Sequence, residues 1–358
     1  MPRSFLYVQA ILRRREDRTQ LGNLLKTGRF WVSCAVSLLC LWLAFRHIPV
    51  GEVVHLLAGA HCLLLLAALA ADFLAVVARA WRWVAVLQTE AALTDSFWAQ
   101  GVGFLFTNVF PLRLGEPARV LVMSERCGLP VMQVTASAIV ERLLDAATNV
   151  LVLVLVLRWM RVPPLMRQAG MSFGGIALTG LLLLLLLVRF RHHSESLVQA
   201  LCARVPFLPA KRIMTWWKEL ISGFLPLTRG RVALQAIAGS LVAWALSLAM
   251  FWCVLRAFHA DGTLVEAAFM MVALSFAMSV PSSPGFVGVF QLVGQQALVL
   301  PFGAKYDAVS ALAITLTVHL TYYLLTTTLG VIGLWRLGES FAKLGQKMTG
   351  RRAACELP

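Results

Sequence analysis

Charged side chains are scarce in this chain. Asp, Glu, Lys and Arg make up 14% of its 358 residues, where soluble domains carry about 25%. Acids are scarcer still, 17 against 32 Lys and Arg. Runs such as ALTGLLLLLLLV (177–188) have no polar counterface. A soluble core would alternate faces, so a soluble fold is excluded. Nucleotide and hydrolase signatures are missing too: there is no P-loop, GxSxG, HExxH or acidic phosphate-metal cluster. ATP-driven pumping by this chain alone is therefore not expected, nor is an enzyme, a metal or a cofactor. Cys34, Cys40, Cys62, Cys127, Cys202, Cys253 and Cys355 form no CxxC and no Cys/His ligand spacing, and read as small buried hydrophobes. No basic-aromatic weave accompanies the net charge of +15. Nucleic acid is not the expected partner; the charge suits cytoplasmic loops and anionic lipid instead.

What is present is apolar sequence, 59% hydrophobic with a mean hydropathy of +0.77. The expected fold class is all-α, a polytopic integral membrane protein. A span needs about 20 apolar residues, and six stretches read as full spans: 30–46, 62–87, 131–157, 172–188, 232–256 and 306–335. Two more runs, 97–112 and 264–301, are broken by proline and glycine and read as re-entrant or broken hairpins. Residues 1–29 read as a basic amphipathic segment on the membrane surface, not a signal peptide. Half one covers about 30–160 with the hairpin 97–112. The linker 189–231 contains an amphipathic surface helix over 194–226, with Trp216 and Trp217 at the interface. Half two covers about 232–335 with the hairpin 264–301, and 336–358 is a basic tail. Lys and Arg are dense in 1–29, in 189–231 and after 335. That places both termini in the cytoplasm and leaves Arg158, Arg161 and Arg167 outside. The hairpins then enter from opposite sides. They match in phase at Phe106 and Phe276, Pro111 and Pro281, and Gly115 and Gly285, which fits an inverted repeat or a coincidence between two Pro/Gly hairpins.

Three constellations carry charge or broken backbone. In the first hairpin Pro117 suits the first turn of a helix whose N-terminus attracts anions. Arg113 and Arg119 add forked donors for a phosphate, and Glu116 can hold Arg119 from three residues away. The bland alternative is an interfacial helix with snorkelling arginines. In the second hairpin Ser282 or Ser283 can cap a helix starting at Pro284, or the segment is a plain turn. The span 131–157 carries Glu141, Arg142 and Asp145, followed by Thr148 and Asn149 on one stripe. Each such charge costs at least about 2.5 kcal/mol at mid-membrane, so partners or water must face them. Candidates are Arg113, Arg119, Arg79 and Arg82; the alternative is an ion-pair cluster that only locks helices. In 62–87, Asp72 and Arg79 share a face, while Arg82 between Trp81 and Trp83 reads as an interface anchor. His319, near Tyr322, Tyr323, Thr326 and Thr327, reads as a helix–helix hydrogen-bonding residue in preference to a proton relay.

In order, the chain contains NxxPxRxGExxR (Asn108, Pro111, Arg113, Gly115, Glu116, Arg119), ERLLD (Glu141, Arg142, Asp145) and PSSPGxxG (Pro281, Ser282, Ser283, Pro284, Gly285, Gly288). With these motifs it resembles the flippase-like transmembrane domain of the lysylphosphatidylglycerol synthase family over roughly 30–335. The soluble aminoacyl-transferase domain of the full synthases is missing, and Phe286 stands where relatives often have a second glycine. The resemblance implies a multi-pass protein of the bacterial cytoplasmic membrane that moves an anionic lipid or glycolipid between leaflets. On this reading Arg113, Arg119, Arg142, Asn108, Ser282, Ser283 and Gly285 hold the headgroup. Glu116, Glu141 and Asp145 act as charge partners or carry coupling protons, and Pro111, Gly115, Pro281, Pro284 and Gly288 break the hairpins. Membrane lipids are the expected partners, with a lipid-modifying enzyme as a further one. Rival readings are a transporter of a small soluble anion, a membrane enzyme acting on a lipid headgroup, and a non-catalytic partner of a lipid-modifying enzyme.

Overall fold

The computed structural model describes residues 28–46, 48–88, 91–110, 114–160, 189–204, 209–279, 284–341 and 344–345, with isolated positions between 168 and 187. Among them every regular element is helical. They are α1 Gly28–Phe45, α2 Val50–Gly59, α3 Cys62–Leu87, α4 Leu93–Val109, α5 Gly115–Cys127, α6 Val131–Trp159, α7 Arg191–Arg204, α8 Ala210–Phe224, α9 Gly230–Phe258, α10 Leu264–Ser279, α11 Val289–Phe302 and α12 Ala308–Arg336. Single 3-10 turns lie at Leu225–Thr228 and Pro284–Phe286.

Local chemistry sets the boundaries. Gly128 takes a positive φ of 63° and ends α5, and Pro130 opens α6 two residues later. Thr263 and Glu266 cap α10 reciprocally: each backbone N–H donates to the other side chain, at 2.9 and 3.3 Å. Asp307 accepts from the Ser310 N–H at 2.8 Å at the start of α12.

Three of the six expected full spans, 62–87, 232–256 and 306–335, appear among the described residues as helices long and apolar enough to cross a membrane. Four helical runs among the described residues are long and apolar enough to cross a membrane: Cys62–Leu87, Gly230–Phe258, Pro284–Phe302 and Ala308–Arg336. The first expected span, 30–46, falls on α1, and the chain bends after it, Ala35–Phe45 and Val50–Gly59 meeting at 79°. Helix α6 has 29 residues, about 43 Å at 1.5 Å per residue, but four charges, Glu141, Arg142, Asp145 and Arg158, dilute its apolar surface. Of 172–188 only scattered positions are described, and residues 1–27 and 346–358 lie outside the described set. The surface segment 194–226 is two helices, α7 and α8, not one. The exposed Trp216 of α8 lies under Arg212, while Ile221 and Phe224 pack on Ala136 and Val140 of α6.

The order long, short, short, long occurs twice. Helices α3 to α6 have 26, 17, 13 and 29 residues; α9 to α12 have 29, 16, 14 and 29. The two first helices lie antiparallel along their length. His61 N–H donates to Ala257 O at 3.0 Å at one end, Arg79 and Arg82 reach Ser247 and Ser240 between, and Arg229 meets Gln88 at the other. Helix α4 packs on α12, and its counterpart α10 packs on α6. Each pair of short helices packs together, α4 on α5 and α10 on α11.

Candidate functional site

The site grows from α6. Buried carboxylates in a dry interior need partners, and Glu141 is 0% exposed. Its Oε1 accepts from Arg82 Nη2 at 3.0 Å, and its Oε2 from Arg119 Nη1 at 2.7 Å. Four residues on, one turn along the same face, Asp145 Oδ1 accepts from Arg82 Nη1 at 2.7 Å and from the Trp244 indole at 3.1 Å. Glu116 reaches Arg119 through Oε2 at 2.7 Å and Arg142 through Oε1 at 3.1 Å. Arg142 closes the circuit on Asp145 Oδ2 at 3.4 Å. The result is a closed ring of alternating sign: Arg82, Glu141, Arg119, Glu116, Arg142, Asp145. Three full positive charges meet three negative ones, so the ring is formally neutral.

Tight helix packing makes the ring. Gly103 and Gly115 bring α4 and α5 into backbone contact; a Cβ on Gly115 would collide with the Gly103 carbonyl and the Thr107 hydroxyl. That approach carries Arg119 across the face of Trp83, 4.7 Å from its ring centre, and within 3.0 Å of Gln100 Oε1. Trp83 is pinned by its indole N–H to Ser137 at 3.0 Å. Arg82, 1% exposed, also donates to Ser240 at 2.9 Å.

This corrects the anchor reading of Arg82, which faces the interior and pairs with two acids. Arg79 donates to Ser247 at 3.1 Å and lies near the face of Trp244. Trp81 remains exposed, as an anchor requires.

A cavity of about 440 Å³ opens beside the ring. Glu116, Arg119, Arg142 and Asp145 line it from one half, and Trp244, Ser247, Ser275 and Tyr322 from the other. Arg142 is the most open member of the ring, its side chain 51% exposed. Three buried polar atoms on residues of the cavity wall have no hydrogen-bond partner among the described residues: Asp72 Oδ2, Gln100 Nε2 and Asn149 Oδ1. Such atoms are uncommon in a finished interior, and they mark a place for polar ligand or water.

The second hairpin is built differently from expectation. The helical run from Pro284 is kinked at its start: it opens with a single 3-10 turn in which Gly285 and Phe286 take positive φ of 62° and 58°. Helix α11 starts at Val289, with Gly288 at φ 91° before it and the Gly288 N–H donating to Gln291 Oε1 at 2.7 Å. His319 holds this tip. Its Nδ1 accepts from Gln291 Nε2 at 2.7 Å, so Nε2 carries the proton and donates to Gly285 O at 2.9 Å. That is the hydrogen-bonding role expected of it. Phe290 stacks on the imidazole at 4.3 Å.

The structure therefore gathers Glu116, Arg119, Arg142 and Asp145, with Gly115, at one cavity, and sets Glu141 behind them, paired with Arg82 and Arg119. Asn108 and Gly285 stand apart from its wall. The Asn108 amide donates to Thr326 and Thr327, both at 3.0 Å, and locks α4 to α12. Pro111, Arg113, Pro281, Ser282 and Ser283 lie outside the described residues. Sequence reasoning missed Gln100 and Ser240. A signal for the role of Arg82 was present: Asp72, Arg79 and Arg82 fall at seven- and three-residue spacings, one face of α3.

A second charged group lies away from the cavity, in the loops before α10 and α12. Lys305 meets Glu266 at 3.0 Å and Asp261 at 3.3 Å, and the Tyr306 hydroxyl donates to Glu266 at 2.7 Å. The Lys305 hydrogen bond lowers the Asp261 carboxyl below its ordinary range. Burial, then the Glu266 hydrogen bond, raises the Tyr306 phenol. This group ties two loops together. Among the described residues no cluster of His, Cys, Asp and Glu could hold a metal ion.

The family model described as lysylphosphatidylglycerol synthase TM region matches residues 30–330. No curated protein and no solved structure matches the chain.

Proposed function

From its membership of the lysylphosphatidylglycerol synthase transmembrane-region family, to which this chain belongs, we propose that the protein translocates an anionic lipid or glycolipid between leaflets and does no chemistry on it. The observation that carries the reading is the cavity at the seam of the two halves, with four members of the charge ring on its wall and unpartnered polar atoms on its lining residues. A structural ion-pair lock would account for the ring but not for the open cavity beside it, where charged side chains meet a largely apolar wall.

In the mechanism, the headgroup sits in the cavity while the acyl chains stay in lipid. Arg142, at the open edge of the ring, and Arg79, hydrogen-bonded only to Ser247 among the described residues, meet the headgroup anion first. Arg119 is held in place by Glu116, Glu141 and Gln100, so it presents positive charge without reorganisation. The antiparallel packing of the equivalent helices α3 and α9 supports an inverted repeat, the arrangement that lets one central site face either side in turn. Arg113, Ser282 and Ser283, in the two hairpin breaks, extend the same site in this proposal. The bacterial cytoplasmic membrane is the proposed location, with both termini and the basic segment 189–231 on the cytoplasmic side.

Reconstitution into liposomes with headgroup-labelled anionic and zwitterionic lipids tests this. Wild type is expected to move the anionic probe faster than empty liposomes do, and Arg142→Ala to slow it by about tenfold, the loss of one charge-assisted contact. Saturable flux of a small soluble anion with no lipid movement would replace the reading with soluble-anion transport. No movement of any probe, with stable co-purification of a lipid-modifying enzyme, would make the protein that enzyme's partner.

A further inference from the structure

Asp72 stands out among the acids of the cavity. It lies near the centre of α3, is 2% exposed, and its Oδ2 has no hydrogen-bond donor among the described residues. No described cation comes within ion-pair distance of it. Glu116, Glu141 and Asp145 differ: each touches two arginines.

That difference decides which acid can change charge. Protonating Glu141 would strip Arg82 and Arg119 of a shared partner at once, leaving cations buried and unpaired, an outcome a dry interior opposes. Protonating Asp72 breaks no contact ion pair and removes only the longer-range attraction of Arg79. An isolated carboxylate at the centre of a transmembrane helix is costly, and a bound proton removes that cost. Its charged neighbours on the cavity wall are otherwise engaged. Arg79, seven residues on along its own helix, donates to Ser247 of α9. Arg142 and Asp145 of α6, and Glu116 and Arg119 of α5, belong to the ring. From α12 the titratable group on the wall is Tyr322.

We propose that Asp72 is the proton-binding residue of this protein, taking up a proton in the cavity from water on one side of the membrane and releasing it to water on the other as the cavity changes access. Only the carboxyl O–H bond forms and breaks, and the aqueous proton gradient supplies the driving force. The coupling role rests on the translocation reading; the titration of Asp72 does not. The ring acids, expected from sequence to be charge partners or to carry coupling protons, serve on this account as fixed partners of the arginines.

Infrared difference spectroscopy on the purified protein in lipid nanodiscs, cycled between about pH 5 and about pH 9, reads protonated carboxyls directly. Wild type is expected to show a reversible protonated-carboxyl band that Asp72→Asn lacks and Asp72→Glu shifts. Identical difference spectra for wild type and Asp72→Asn overturn the proposal, and Asp72→Glu decides the case if the asparagine variant fails to fold. In liposomes, the ratio of translocation rates with and without a pH gradient is expected to exceed one for wild type and fall to one for Asp72→Asn. Lipid movement with a spectroscopically silent Asp72 would refute this inference alone. An Asp72 band without movement of any lipid would refute the translocation reading and leave the proton site standing.

Discussion

Arg82 and Arg142 occupy opposite extremes of one ring. Arg82 is almost wholly enclosed and serves two acids and a serine; Arg142 is half exposed and serves two acids at its edge. Removing one partner of a buried ion pair leaves the other charge stranded, at a cost of about 3–5 kcal/mol. A solvated partner costs at most about 1 kcal/mol. Arg82→Gln is therefore expected to lower unfolding stability in mixed micelles by about 3 kcal/mol or more, and Arg142→Gln by less than about 1 kcal/mol. Equal losses in a detergent-unfolding titration would mean that the ring is uniformly solvated, against the burial described. The residue scale also shows what one sequence conceals. The charges of ERLLD announced themselves as anomalies in an apolar helix, and two of the four candidate partners, Arg82 and Arg119, are the ones that pair with them among the described residues. Arg82 sits between two tryptophans, a pattern that suits an interface anchor as well as a buried ion pair. The choice depends on which way α3 is rotated, and α9 packing along α3 sets that rotation.

At the scale of elements, the first hairpin depends on a backbone contact. Gly103 and Gly115 leave no room for a methyl group between α4 and α5. Gly115→Ala is expected to push the two helices apart, at about 1–3 kcal/mol, the range for overpacking a tight contact. Since Arg119 rides on α5, the same change should also displace it from Trp83. A drop in thermal midpoint together with altered tryptophan fluorescence checks both effects; an unchanged midpoint would show that the contact is slack. The second hairpin depends on torsion angles instead. Gly285 and Gly288 adopt positive φ, and His319 fastens the tip from α12. Both breaks were visible as proline and glycine inside apolar runs. The form each break takes was not, because it depends on which neighbouring carbonyl or side chain collects the freed backbone groups.

At the scale of the molecule, the loops fall at two ends. Gln88 and Arg229 share one, next to the Leu225–Thr228 turn after α8; His61 and Ala257 share the other, near Asp261. With Cys62 replaced by serine, a cysteine placed at Gln88 is expected to react with an impermeant thiol reagent only from the cytoplasm, and one placed at Asp261 only from outside. Labelling of both from one side would overturn this topology and the inverted relation of the halves with it. The sequence by itself determined that the chain is a helical membrane protein, where its apolar helices run to within a few residues, and that α6 carries charges needing partners. Those properties follow from hydropathy and from the cost of burying charge, both local to a segment. Only the tertiary structure decided that Arg82 turns inward, that Asn108 locks helices and does not line the cavity, and that six charges close into a neutral ring. It also left Asp72 without a contact ion pair among the described residues, because pairing in a crowded interior is settled by which helices touch and at what rotation, and no single segment contains that information.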